Sequence, residues 1–192
     1  MMKYELEREI KNLLTKQEFL RLKKFFHFSD DDFQPQTNYY FETENQDLKK
    51  LQAALRIRQK NEKFVLTLKQ KRKDDVHEYH LNLSSQEAKA LLQKQNTKKI
   101  KELLHAIGAE SLNPHYLGSL TTLRAQCLFM EGMIFLDKSS YFQQTDYEIE
   151  YEVKNWAEGK QAFYHLMQEH EIHLKPTLSK IARFYTYYLK QA

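Results

Sequence analysis

From Tyr4 to Val153, charged and apolar side chains alternate in step with a β-strand, and no other feature constrains the fold of this chain as strongly. Glu5, Glu7, Glu9 and Lys11 fall on one face by the two-residue period, with Tyr4, Leu6 and Ile10 on the other beside Arg8. The split recurs where Arg56, Arg58 and Lys60 oppose Leu55 and Ile57, and where Thr67, Lys69 and Lys71 oppose Phe64, Leu66 and Leu68. Glu78, His80 and Asn82 then oppose Tyr79, Leu81 and Leu83; Thr122, Arg124 and Gln126 oppose Leu123 and Ala125. The last run sets Asp146, Glu148, Glu150 and Glu152 against Tyr147, Ile149, Tyr151 and Val153. One such strand describes an ordinary half-exposed sheet. Six of them, with acids in the first and last and bases in the middle, describe a sheet with one charged face and one apolar face that helices must cover.

Helices are legible between these runs. Thr15-Lys16-Gln17-Glu18 and Ser84-Ser85-Gln86-Glu87 are capping boxes that open helices reaching residues 27 and 94, the first with Phe19, Leu22, Phe25 and Phe26 on its stripe. Thr97 to Ile107 reads as a further helix stopped by Gly108. Residues 37–43 read as a strand followed by a short helical piece from Glu44 to Leu51, and Asn61-Glu62 joins strands 54–60 and 64–71 in a tight hairpin. Strands are expected over 116–127, 129–138 and 145–154, with Glu131-Gly132 as a turn or bulge inside the second, and two helical pieces flank Pro176. Strands followed by helices, twice and without a linker, argue for one α+β domain over residues 1–192, with C-terminal helices over 157–192, on an antiparallel sheet. A sheet of this kind that curls closed brings its charged faces together around an interior suited to a polyanion and metal ions.

Composition removes several classes of protein. Only 4 Gly and 3 Pro in 192 residues exclude collagen-like and linker-rich chains, and 12 Tyr with 12 Phe exclude disorder. Cys127 stands alone, which excludes an internal disulfide and a paired-cysteine zinc site; it reads as a small core hydrophobe in a reducing compartment. Charges at Lys3, Glu5 and Glu7 stand where a signal peptide needs apolar residues, and no run reaches the ~18 apolar residues of a membrane span. A cytoplasmic protein with no membrane partner is expected. A balance of 30 basic to 26 acidic residues is a mixed surface, not a nucleic-acid-binding signature.

Residue type then suggests the chemistry. Glu7 with Glu9, and Glu148 with Glu150, each present two hard oxygen donors on one strand face; Mg²⁺ or Mn²⁺ takes a few carboxylates and completes its shell with water and substrate phosphate. Arg56, Arg58, Lys69, Lys71 and Arg124 supply phosphate contacts, the arginines in bidentate fashion. Phosphoryl transfer needs positioning, charge neutralisation and an oriented water, so such a site can act without a Ser, Cys or His nucleophile.

Glu7-Arg8-Glu9-Ile10-Lys11 matches the ExExK signature of the CYTH superfamily, the triphosphate tunnel metalloenzymes. Further runs follow in that family's order: Tyr40-Phe41-Glu42-Thr43, Leu55-Arg56-Ile57-Arg58, Leu66-Thr67-Leu68-Lys69, Glu78, Arg124, Leu136-Asp137, Asp146-Tyr147-Glu148-Ile149-Glu150 and Ser179-Lys180-Ile181-Ala182-Arg183. The chain resembles bacterial CYTH-domain proteins labelled adenylate cyclase or triphosphatase. This resemblance implies a closed eight-stranded antiparallel β-barrel, the triphosphate tunnel, with surrounding helices. It implies metal on Glu7, Glu9, Glu148 and Glu150, with Asp137 as a further acid, and phosphate on Lys11, Arg56, Arg58, Lys69, Arg124, Lys180 and Arg183. Glu7, Glu9 and Lys11 are the catalytic candidates. Three departures stand out: Glu42 where members often have Asp, His80 where a second acid after Glu78 is expected, and no His-x-Phe ahead of ExExK, which counts against cyclic AMP synthesis.

The expected activity is metal-dependent hydrolysis of a phosphoanhydride, with inorganic tripolyphosphate as substrate and water held by the cation as nucleophile. Thiamine triphosphate or nucleoside triphosphate hydrolysis and adenylyl cyclisation stay open, because no residue pattern marks a pocket for an organic group. A non-catalytic polyphosphate or nucleotide sensor is the alternative, motivated by His80. RNA binding through the basic strands with Tyr39, Tyr40 and Phe41 is disfavoured by the acids on the same face. His165, His170 and His173 are weak metal candidates, because only the last pair shares a helical face and Pro176 is close. Phe184, Tyr185, Tyr187 and Tyr188 form an aromatic patch that reads as packing or as a homodimer contact.

Overall fold

The computed structural model describes residues 1–73, 75–95 and 98–191. The chain runs β1 (Lys3–Glu7), β2 (Glu9–Leu14), α1 (Lys16–Phe25), β3 (Gln34–Glu42), α2 (Asp47–Lys50), β4 (Ala53–Lys60), β5 (Lys63–Arg72) and β6 (Asp75–Leu83). It continues through α3 (Ser85–Leu92), α4 (Lys98–His105), β7 (His115–Phe129), β8 (Gly132–Tyr141), β9 (Gln144–Val153), α5 (Trp156–Glu169) and α6 (Lys180–Tyr188). The strands form one ladder in the order β1-β6-β5-β4-β3-β7-β8-β9-β2.

This order corrects the closed eight-stranded expectation. There are nine strands among the described residues because the first run breaks at Arg8: Glu7 pairs with Val76 in β6, whereas Glu9 pairs with Glu152 in β9. Among the described residues, β1 and β2 stand at the two ends of this strand order, with Arg8 between them in the chain. The polar and apolar parity continues across the break, so spacing alone reads one strand.

Among the described residues, three hairpins turn on two residues, Asn61-Glu62, Met130-Glu131 and Phe142-Gln143, between the pairs Lys60/Lys63, Phe129/Gly132 and Tyr141/Gln144. Their first residues have φ of 54°, 47° and 50°, the positive values that the primed turns of tight hairpins require. Glu131-Gly132 therefore does not interrupt a strand, as the sequence suggests; Glu131 belongs to a turn and Gly132 opens β8.

The chain divides into two compact units, one of Met1–Glu7 with Gln36–Leu120, the other of Arg8–Pro35 with the chain from Thr121 onward. In the first, α3 and α4 cover β5 and β6, and Leu55, Ile57, Leu66, Leu68 and Leu81 meet Ala88, Leu91, Ile100 and Leu103. Ser84 and Glu87 close the capping box of α3. Thr97, where the next helix is expected to begin, lies outside the described residues. Glu42 is buried and caps α2 from a distance, accepting from the backbone N–H of Leu48 and Lys49 at 3.0 Å each.

In the second unit, α1 and α5 cover β2, β8 and β9 around Phe19, Leu22, Ile134, Leu136, Ile149, Phe163 and Leu166. Thr15 and Glu18 form the capping box of α1. Cys127 packs half-buried against this core, and burial pushes its thiol up. Among the described residues, no helix is long and apolar enough to cross a membrane.

Candidate active site

With Ile134, Leu136, Ile149 and Tyr151 in the second unit's core, the alternate positions of β8 and β9 point to the opposite face. That face carries Asp137, Glu148 and Glu150, which are 0%, 1% and 5% exposed. Arg124 and Glu148 both pair with Asp137 in register, and Lys11 pairs with Glu150. Arg124 grips Asp137 bidentately, Nε to Oδ1 at 2.7 Å and Nη2 to Oδ2 at 2.6 Å, and also donates to Glu150. Its guanidinium lies 4.3 Å from the centre of the Phe135 ring.

Lys180, the first residue of α6, stands 2.8 Å from Asp137 Oδ2 and 3.0 Å from Glu148 Oε1 and also reaches Glu150. Arg183, three residues on, pairs with Glu148 and donates Nε to Asp146 Oδ2 at 2.8 Å. Tyr141 Oη donates to the same Asp146 oxygen at 2.7 Å, and Lys11 Nζ meets Glu9 Oε1 at 2.6 Å. β2 aims α6 at these acids through buried Asn12, which donates to the His173 carbonyl at 3.1 Å and accepts from the Lys175 N–H at 2.7 Å. The Leu13 N–H donates to Thr177 Oγ1 at 3.0 Å, so the segment around Pro176 is tied down on both sides.

Burial opposes the charges of Glu148, Glu150, Lys11, Arg124 and Lys180, and their partners set the direction each group takes. Burial lifts the Glu148 carboxyl to about 7, Lys180 draws it down, and the neighbouring Glu150 pushes it up again. For Glu150, Lys180 and Arg124 overcome burial and hold the group well below the carboxylate range. Burial likewise opposes the cations, yet Asp137, Glu148 and Glu150 raise Lys180, Glu150 and Asp137 raise Arg124, and Glu9 with Glu150 raises Lys11.

The first unit has its own charged cluster. Lys69 Nζ donates to both Glu7 oxygens at 2.7 Å and pairs with Glu78, which stands opposite it on β6. Burial raises the Glu7 carboxyl against the pull of Lys69; Glu78 is lowered because Lys69, Glu7 and Arg56 outweigh burial. Arg56 Nε is buried without a hydrogen-bond partner, and Arg58 Nε donates to Asn38 Oδ1 at 3.2 Å.

The structure thus gathers Glu9, Lys11, Arg124, Asp137, Glu148, Glu150, Lys180 and Arg183 in one unit, and Glu7, Arg56 and Lys69 in the other. Lys71 is exposed, and Arg58 is engaged by Asn38. Sequence reasoning left Asp146, Tyr141 and Glu78 out of the site; Asp146 shares the strand parity of Glu148, whereas nothing marks Tyr141. His165, His170 and His173 join no group of metal-capable side chains among the described residues. Tyr40 and Phe41 are buried and offer no stacking platform, and Phe184 stacks on Phe142 with ring centres 5.0 Å apart.

A family model, "CYTH domain", matches residues 5–185. A Bacillus subtilis (strain 168) protein named "Putative triphosphatase YjbK" is 42% identical over 184 residues, 96% of each chain. A crystal structure from Bacillus halodurans, described as a "putative adenylate cyclase", matches with a TM-score of 0.88 and 36% identity over 94% of this chain and 98% of that one. A Hippeastrum protein shares the fold at a TM-score of 0.70 and 23% identity over 95% of both chains. Because the family model and a relative at this identity both span nearly all of its length, the chain belongs to the CYTH domain family.

Proposed function

We propose that this protein is a divalent-cation-dependent hydrolase of triphosphates and that inorganic tripolyphosphate is its substrate. The observation that carries this reading is the second unit's cluster, where the buried carboxylates Asp137, Glu148 and Glu150 stand interleaved with Arg124, Lys180 and Arg183. Charges of both signs, concentrated and shielded from water, suit a polyanion that arrives with its counter-cation. The Bacillus subtilis relative is named for triphosphatase activity, which supports the same reading.

The donor set fits a hard cation, because every acid in that cluster offers carboxylate oxygen. We assign Mg²⁺ or Mn²⁺ to Glu9, Asp137, Glu148 and Glu150 of the second unit and to Glu7 of the first. Such a cation, when bound, neutralises phosphate charge and polarises the phosphoryl group. Lys11, Arg124, Lys180 and Arg183, with Arg56, Arg58, Lys69 and Lys71 of the first unit, are assigned to phosphate oxygens. The bases of the second unit are already aimed by their carboxylate partners, so substrate binding exchanges one set of anionic oxygens for another with little reorganisation. Glu9 and Lys11 of the second unit, and Glu7 of the first, are kept as the catalytic candidates for a reaction in which water adds to the terminal phosphoryl group and pyrophosphate leaves. We take residues 1–192 as one CYTH domain acting in the cytoplasm, which suits the single thiol of Cys127.

The test is phosphate release from tripolyphosphate, ATP and thiamine triphosphate, each with Mg²⁺ or Mn²⁺, by wild type, Glu7→Ala/Glu9→Ala and Glu148→Gln/Glu150→Gln. Metal-dependent release from tripolyphosphate is expected, reduced about a hundredfold or more in both double variants. Release from ATP or thiamine triphosphate alone reassigns the substrate. Triphosphate binding without turnover replaces the enzyme by a sensor.

A further inference from the structure

In the first unit, the β1–β6 register sets Glu5 directly opposite Glu78. Two like charges facing each other on neighbouring strands repel, and two residues on from Glu78 the same strand face carries an imidazole, His80. One ligand atom from each of Glu5, Glu78 and His80 lies within 4.8 Å of the others. His80 Nε2 is 2.6 Å from Glu5 Oε1 and 3.3 Å from Glu78 Oε2. At these separations Nε2 faces both carboxylates at the range of a close ion pair, so one ring nitrogen and two carboxylate oxygens converge on a single point. The other ring nitrogen is tied, with Nδ1 3.0 Å from Thr67 Oγ1. An imidazole anchored through one nitrogen and presenting the other to carboxylates is the arrangement that metal-binding histidines adopt. Lys69 takes the other oxygen of Glu78, Oε1, leaving Oε2 toward His80. Glu78 is buried while the Glu5 side chain is 67% exposed, which gives an ion a way in and room for water on its outer side.

We infer that Glu5, Glu78 and His80 form a cation site of their own, selective for a borderline transition metal such as Zn²⁺ over Mg²⁺. The donor set decides the selectivity: one imidazole nitrogen with two carboxylates suits Zn²⁺, Co²⁺ or Mn²⁺, whereas Mg²⁺ prefers oxygen alone. The site is distinct from the all-oxygen cluster of the second unit and does not depend on the hydrolase reading. A bound ion also relieves the repulsion between Glu5 and Glu78, so its binding stabilises the pairing of β1 with β6.

The experiment is calorimetric titration of the full chain, stripped of metal, with Zn²⁺ in excess Mg²⁺, comparing wild type with His80→Asn, Glu5→Gln and Glu150→Gln. One Zn²⁺ per chain is expected in wild type and in Glu150→Gln, with affinity lower by about 10- to 100-fold in His80→Asn and Glu5→Gln. Glu5 is exposed, so Glu5→Gln decides the matter if His80→Asn folds poorly. No Zn²⁺ uptake by wild type, or uptake that Glu5→Gln leaves unchanged, overturns the site and leaves an ordinary His–Glu ion pair. Uptake lost in Glu150→Gln alone assigns the ion to the second unit and overturns it equally.

Discussion

Lys180 Nζ lies 3.0 Å from Glu148 Oε1, and both side chains are almost wholly shielded from water. The lysine therefore supplies positive charge to the carboxylates to which we assign the cation. Removing one partner of a buried ion pair costs about 3–5 kcal/mol, because the charge left behind has neither water nor a counter-ion. Lys180→Met is expected to lower the melting temperature sharply in chelator and to recover much of the loss in Mn²⁺, with a larger cation response than wild type. Thermal unfolding with and without Mn²⁺ measures it, and an equal response in the two proteins removes the assignment of cation to these acids.

A pH dependence follows from Glu148. Its carboxyl, lifted by burial to about 7 in the folded protein, titrates at ordinary carboxylate values in the unfolded chain. A raised folded-state value means stability that is fully present below the unfolded value and lost as pH rises through about 7. The metal-free protein is therefore expected to lose on the order of 2 kcal/mol through this group between about pH 5 and about pH 8. His80, lowered by burial, acts in the opposite sense, so the comparison must be between proteins. Glu148→Gln removes the decline while keeping the His80 contribution, and urea midpoints of the two proteins at both pH values report the difference.

Much of this was legible in the chain because local chemistry and tertiary structure agree. The capping boxes at Thr15 and Ser84 and the turn at Asn61 use residues whose side chains or backbone preferences favour those geometries before any packing. The turns at Met130 and Phe142 were not legible, since an apolar residue with positive φ is the opposite of what a turn position advertises. The break at Arg8 escaped for another reason: the residues on either side keep their faces and change only their partners, and a partner strand leaves no trace in spacing. In the candidate site, parity finds Glu148, Glu150 and Arg124, but the role of Asn12 in aiming α6 needs the fold, because it acts on backbone groups distant in sequence.

Close packing of α5 on β9 gives a third expectation. A Cβ at Gly159 would stand 2.6 to 2.8 Å from three side-chain atoms of Val153, so one of the two elements must move. Gly159→Ala is expected to destabilise the protein by about 1–3 kcal/mol despite its gain in helix propensity. Paired with Val153→Ala, which opens the space, the cost should shrink. Chemical denaturation of the two single variants and the double variant measures the coupling.

The break at Arg8 also bears on how the chain is made. Glu9 finds its partner only when Glu152 has emerged, so β2 leaves the ribosome long before the strand it needs. Residues Gln36–Leu120 meanwhile complete most of the first unit, with β3 to β6, α3 and α4 already in hand. During translation, β2 and α1 form a waiting segment with an unpaired edge and the apolar stripe of Phe19 and Leu22 uncovered, the kind of surface through which folding chains aggregate.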